Sequence, residues 1–182
     1  MEIIETGFKG LIVIKPEVYA DNRGYFFESF NRDVFHKEGI DFAPVQDNES
    51  KSSRGVIRGL HYQLKPHQQA KLVRVVQGKI FDVALDLRRS SPTFGKWYGI
   101  ELDSDGKSQL FIPGGFAHGF SVLSDIAIIQ YKVDNVYDRL SERGIALNDP
   151  ELKIEWPACG AAPVISEKDL KNPSFREAEY NF

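Results

Sequence analysis

The chain has 182 residues, 42% hydrophobic and 27% charged, with a formal net charge of −3. This is a globular composition at the length of one ordinary domain, enough to close a sheet around a sizeable core. A slightly negative chain without basic runs argues against nucleic acid or an anionic membrane as partner, no apolar run approaches membrane-spanning length, and the single Cys159 excludes an internal disulfide.

Short apolar segments bounded by turn residues follow one another at 11–14, 25–30, 56–63, 72–77, 80–87, 97–102, 110–112, 120–123 and 126–132. Many short strands of this kind predict an all-β sandwich or barrel. Within 80–87, Phe81, Val83, Leu85 and Leu87 alternate with Ile80, Asp82, Ala84 and Asp86, the two-residue period of a half-buried strand. Gly78-Lys79 and Asp105-Gly106 fall between strand segments and read as hairpin turns. Helix is scarce. Residues 31–38 suit a short helix with Asn31 as N-cap and Gly39 as stop, and 166–170 suit another, capped by Ser166 with carboxylates in its first turn. No repeat, low-complexity tract or linker interrupts the chain, so a single domain over 1–182 is expected. Residues 1–5 carry acids where a secretory leader needs bases, and with one cysteine the expected compartment is the reducing cytoplasm.

The residues able to do chemistry concentrate between 55 and 118. Gly55-Val-Ile-Arg58-Gly-Leu-His61-Tyr-Gln63 leads to Lys71-Leu-Val-Arg-Val-Val-Gln-Gly78, and Ile112-Pro113-Gly-Gly115-Phe-Ala-His118 follows. These stretches resemble the two motifs of the cupin superfamily, which implies an all-β, cupin-type jelly-roll barrel or sandwich with a few short helices. Metal-binding cupins place two His and a Glu where this chain has His61, Gln63 and Lys71. A divalent ion wants imidazoles and carboxylates, whereas an ammonium repels it and fills its place. The expected pocket therefore holds no metal, and no cofactor is implied.

The finer pattern resembles one family, the nucleotide-sugar 3,5-epimerases that convert dTDP-4-keto-6-deoxyglucose to dTDP-4-keto-rhamnose. The resembling stretches include Asp21-Asn-Arg23-Gly-Tyr-Phe26-Phe-Glu28, Gln46-Asp-Asn48, the run 81–95, Tyr131-Lys132, Glu142-Arg-Gly-Ile145, Asn148-Asp-Pro150 and Ser166-Glu-Lys168-Asp169, in order along nearly the whole chain. The chemistry this implies suits the residues. A hydrogen on a carbon beside a ketone is weakly acidic, because its removal leaves an enolate with charge on the keto oxygen. Inverting that carbon takes a base on one face, a partner for the oxyanion, and an acid on the other face.

The resemblance implies His61 as base, imidazole being the commonest side chain for that work. Alone, it would read as a core histidine satisfied by hydrogen bonds. Lys71 is the implied enolate stabiliser, and Val73 and Val75 share its face by the two-residue period, so it is expected to point inward. Tyr131 is the implied acid, though by itself it reads as a packed aromatic. Asp169 is implied to orient His61, and would otherwise read as a helix-start carboxylate.

A nucleoside diphosphate needs Arg or Lys for its phosphates and a flat apolar surface for its base. The resemblance implies Arg23, Arg58 and Lys168 as phosphate and sugar contacts and Gln46, Asn48 and His118 as polar partners. Glu28 is implied to face the thymine and Tyr137 to stack on it, with Phe26, Gln63 and Glu142 among the other contacts. In this family the segment carrying Arg23 and Glu28 crosses to a twofold partner. A homodimer is therefore implied, with 1–50 as arm and completing strands, 51–135 as barrel core and 136–182 as C-terminal segment. Three alternatives stay open on the residues: a sister enzyme that inverts one carbon or isomerises the ketone, a metal-dependent cupin enzyme, and a non-catalytic sugar-binding cupin.

Overall fold

The computed structural model describes residues 1–182. In chain order its elements are β1 (Glu2–Glu5), β2 (Ile12–Lys15), β3 (Tyr19–Asp21), β4 (Gly24–Phe26), α1 (Arg32–Lys37), β5 (Gln46–Ser53), β6 (Val56–Gln63) and β7 (Lys71–Gln77). Then come β8 (Lys79–Asp86), β9 (Trp97–Asp103), β10 (Gln109–Ile112), β11 (Phe116–Val122), β12 (Ile126–Val133), β13 (Glu142–Gly144), β14 (Val164–Ile165) and a 3₁₀ turn at Asp169–Lys171. Two sheets face each other in the expected all-β jelly-roll arrangement. The first has the order β1-β2-β10-β7-β12-β5 and the second β13-β6-β11-β8-β9, with β14 added in parallel to β6.

Side-chain alternation decides what each face covers. Inward residues Leu11, Val13, Val73, Val75, Ala127 and Ile129 of the first sheet side meet Ile80, Ala84, Leu102, Phe116 and Phe120 of the second. The outer face of the second sheet, with Leu60, Tyr62, Val83, Leu85 and Leu87, lies under Ile145, Leu147, Leu152, Trp156, Phe175, Tyr180 and Phe182. The C-terminal segment is thus a third layer. Truncating a fully buried leucine such as Leu85 to alanine costs about 2–5 kcal/mol here. The first sheet's outer face, with Ile12, Ile14, Leu72 and Phe111, is covered by Phe35 of α1 and by Ile40 and Phe42 after it.

Three expectations are corrected. The strand at 80–87 is buried on both faces: Val83, Leu85 and Leu87 lie under the C-terminal layer, and the side that alternation left for solvent, with Ile80 and Ala84, faces the first sheet. Its carboxylates Asp82 and Asp86 are fully buried and bonded, to His118 and to Arg88, Ser91 and Thr93 respectively. Gly78 and Asp105-Gly106 do not close hairpins: each joins a strand of one sheet to a strand of the other, β7 to β8 and β9 to β10. At this corner Gly78 has φ +82°, and a Cβ there would lie 2.0 Å from the Ile126 carbonyl oxygen, so only glycine fits. Residues 166–170 form no α-helix. Ser166 Oγ does accept the Asp169 N–H at 3.1 Å, but Asn172 is extended and Pro173 follows, so one 3₁₀ turn is all that forms.

Helix α1 is as expected: Asn31 Oδ1 accepts the N–H groups of Asp33 and Val34, and Gly39 ends the turn at φ +78°. The apolar run 25–30 contributes only β4, which pairs with β3 as an isolated exposed hairpin. No helix is long and apolar enough to cross a membrane.

Candidate active site

Arg58 and His61 are three residues apart on β6, a spacing that regular alternation sends to opposite faces. Pairing with β11 shows why they share one. Phe120 lies opposite Arg58 and His118 opposite His61, so one residue on β11, Gly119, opposes two on β6, and a bulge at Gly59-Leu60 absorbs the extra residue. Ile57, Leu60 and Tyr62 go to the outer cluster, while Arg58 reaches across to donate to Ser52 Oγ on β5 at 3.1 Å. Gly59 is required: its φ is +119°, and a Cβ would lie 2.5 Å from Gly119 Cα.

Between the sheets, beside this bulge, opens a cleft of about 370 Å³. Its one wall carries His61 and Gln63 of β6 with Glu142 of β13, Gln63 and Glu142 being direct cross-strand neighbours. The facing wall carries Lys71 of β7, Tyr131 of β12, and Gln46 and Asn48 of β5. Tyr131 pairs with Asn48, and Val133 with both Gln46 and Lys71, so these four polar groups stand side by side on the first sheet.

His61 is held by Asp169, whose Oδ1 is 2.6 Å from Nε2. The parallel pairing of β14 with β6 brings the Asp169 turn to this place. Burial pushes the Asp169 carboxyl up, but the His61 bond and charge, with the Ser166 and Gly59 contacts, outweigh it and hold the group below its ordinary range. An ionised Asp169 fixes the proton on Nε2 and leaves Nδ1 of a partly exposed ring to exchange protons.

Lys71 is buried, and its Nζ donates to Gln69 Oε1 at 3.2 Å. Burial lowers its pKa to about 8, against the attraction of Asp134, so the ammonium persists at neutral pH. Burial raises the Tyr131 phenol, with Glu142 adding to the effect and Arg58 opposing it. Tyr131 therefore keeps its proton and can give it.

Glu142 gathers two further groups, accepting from Tyr137 OH at 2.8 Å and pairing with Lys168 Nζ at 2.6 Å. Its own burial raises the carboxyl, yet those two partners and His61 together hold it below the usual value. Gln46 Oε1 accepts the Tyr137 N–H at 3.0 Å, and its Nε2 donates to Asn48. Arg58 and Lys168 line an adjoining hollow of about 440 Å³ that shares His61 with the cleft.

The remaining five expected contacts lie as follows. Gln63 lines the cleft, but its Nε2 donates to the carbonyls of His67 and Val136 and its Oε1 accepts from Asp138 N–H, so its amide holds the loop that carries Tyr137. His118 lies beside His61 on the neighbouring strand β11, nearly buried, with Nε2 2.5 Å from Asp82 Oδ1. Within one chain, Arg23, Phe26 and Glu28 do not reach the cleft: Arg23 pairs only with Asp21 of its own hairpin, Phe26 is exposed, and Glu28 accepts from Asn31. Gln69 was not foreseen at the cleft, although its place two residues before Lys71 puts it on the same face.

A family model described as dTDP-4-dehydrorhamnose 3,5-epimerase matches residues 5–177. A protein of that name from Shigella flexneri is 51% identical over 181 residues, 99% of each chain. Among solved structures, dTDP-4-dehydrorhamnose 3,5-epimerase from Elizabethkingia anophelis is similar with a TM-score of 0.93, 47% identity and 97% coverage of both chains. The Legionella pneumophila dTDP-6-deoxy-D-glucose-3,5-epimerase, solved in complex with dTDP-4-keto-L-rhamnose, has a TM-score of 0.93 and 45% identity over 97% of this chain and 93% of its own. The chain, matched over nearly all of its length, belongs to the dTDP-4-dehydrorhamnose 3,5-epimerase family.

Proposed function

We propose that the protein inverts the carbons flanking the 4-keto group of dTDP-4-dehydro-6-deoxy-D-glucose to give dTDP-4-dehydro-L-rhamnose. One observation carries the reading: His61 on one sheet faces Tyr131 and the buried ammonium of Lys71 on the other across a single cleft. His61 takes the proton from a flanking carbon, and the bond's electrons pass to the keto oxygen as an enolate beside Lys71 Nζ. Tyr131 then gives its proton to the same carbon from the opposite face. Asp169 steadies the imidazolium, which loses its proton to solvent while Tyr131 regains one, and the second carbon follows. The ammonium supplies the positive charge, so no metal enters the scheme.

Arg58 and Lys168 hold the diphosphate, Tyr137 stacks on the thymine, and Gln46 and Asn48 bond the sugar. His118, tied to Asp82, supports the wall beside His61. Arg23, Phe26 and Glu28 complete the partner's site in a homodimer, a reading supported by the exposed aromatics Tyr19, Tyr25 and Phe26 on a hairpin that joins neither large sheet of its own chain. Residues 1–182 act as one unit, 1–50 supplying that arm. The unpaired Cys159 accords with a cytoplasmic enzyme.

Incubation with dTDP-4-dehydro-6-deoxy-D-glucose in deuterium oxide, followed by NMR, tests the proposal. Inversion and deuterium at both flanking carbons are expected. Change at one carbon alone would assign the chain to the single-inversion sister reaction.

A further inference from the structure

We infer that Gln69 is a positioning residue for Lys71, a neutral clamp that aims the ammonium into the cleft and leaves its charge unpaired for the substrate's oxygen. The inference rests on the reading of Lys71 as the enolate's partner. Gln69 stands just before β7, partly exposed at the cleft, and its side-chain amide makes two contacts of opposite polarity. Nε2 donates to the Asn135 carbonyl at 2.7 Å, and Oε1 accepts from Lys71 Nζ at 3.2 Å. A carbonyl can only accept and an ammonium can only donate, so the amide cannot flip, and its oxygen stays directed at Nζ. Asn135 is itself tied back to the Pro66 carbonyl.

The choice of an amide is chemically pointed. A carboxylate at this contact would form a buried ion pair with Lys71 and neutralise the charge that an enolate needs. The one carboxylate whose charge attracts Lys71, Asp134, makes no hydrogen bond to it and accepts the Ala70 N–H at 2.7 Å. The other ionisable groups lining the cleft with Lys71 are His61 and Glu142 on the second sheet, Tyr131 on β12 and Tyr137 on the loop beyond it, with Arg58 acting on Tyr131; Tyr62 also lines it, but its hydroxyl turns away to the Glu179 carbonyl. Gln69 is thus the only group in direct contact whose chemistry can hold the ammonium without cancelling it.

Two substitutions separate this from a loop-fastening role, because both delete the donor to Asn135 and only one brings charge. With the full-length protein, Gln69→Glu should lower kcat about tenfold or more, with little change in KM. The alkaline limb of its kcat–pH profile should move up, since a carboxylate favours the charged lysine. Gln69→Leu should move that limb down, since the ammonium loses its hydrogen bond. Gln69→Asn should restore part of the wild-type rate. Equal losses in the Glu and Leu variants, with alkaline limbs unmoved or shifted in one direction, would overturn the inference and leave Gln69 a loop fastener. Lys71→Ala, assayed alongside, keeps the premises apart: wild-type activity there sinks the reading of Lys71 itself, whatever Gln69 does.

Discussion

Arg58 and His61 face one side of β6 because Gly59 and Leu60 bulge between them. The cationic mouth and the proton acceptor of the site are aligned by one inserted residue. Gly59→Ala sets a methyl 2.5 Å from Gly119 Cα and 2.7 Å from the His118 carbonyl oxygen, at a φ that side chains avoid. It is expected to destabilise the fold by about 1–3 kcal/mol and to cut activity beyond what unfolding explains. Thermal unfolding with an assay well below the midpoint checks this, and wild-type values in both would refute the role given to the bulge.

Asp169→Asn keeps the shape of the partner to His61 and removes its charge. kcat should fall about a hundredfold or more with KM little changed. The linkage has a definite sign. Asp169 is held below the ordinary 3.8 when folded, so its stabilisation is complete above that value and fades as pH falls through the folded one. The variant should therefore be less stable than wild type at pH 7 and converge with it in acid. A constant difference from pH 7 to pH 3 would contradict the pairing.

Lys71 sets activity against stability. Its pKa is about 8 folded against an ordinary 10.5, so the folded state binds fewer protons between those values and stability on this account rises with pH across that window. Below pH 8 the buried charge is a standing cost. Lys71→Met should remove it, raising stability at pH 7 by up to roughly 3 kcal/mol while kcat falls about a hundredfold or more. The stability gain should shrink toward pH 10. Urea unfolding at both pH values decides, and a variant less stable than wild type at pH 7 would overturn the assignment of a buried, costly ammonium.

The arm can be tested by mixing. Neither Arg23→Ala nor His61→Ala should be active alone. If each site joins one chain's His61 to its partner's Arg23, random re-pairing restores about a quarter of the sites. Recovery of activity after joint refolding supports the exchange, and none would place Arg23 outside the partner's site.

How far the sequence carried this account depends on which face each residue turns. Core strands such as Val56–Gln63 and Ile126–Val133 announce themselves because their apolar residues sit between turn residues. Strand β5, Gln46–Ser53, has no apolar residue at all. Its inward face is polar because it lines the cleft, so hydrophobic patterning passes over it even though it carries Gln46 and Asn48. The burial of both faces of β8 was equally hidden: Asp82 and Asp86 mark one face for solvent, yet that face packs between the sheets with its carboxylates bonded to His118 and Arg88, while the apolar face is covered by residues 145–182, far along the chain. Asp169 and His61, 108 positions apart, meet only through the parallel pairing of β14 with β6. No local pattern encodes that meeting, and only the family resemblance pointed to it.

The division of labour between the two walls is the central claim, and deuterium uptake tests it most directly. With dTDP-4-dehydro-6-deoxy-D-glucose in deuterium oxide, His61→Ala should show neither inversion nor exchange at the flanking carbons, because no enolate forms. Tyr131→Phe should lose inversion by about a hundred- to ten-thousand-fold, yet retain exchange, because His61 can remove a proton and return a deuteron on its own face. Exchange at near wild-type rate in His61→Ala, with none in Tyr131→Phe, would show the two roles to be reversed.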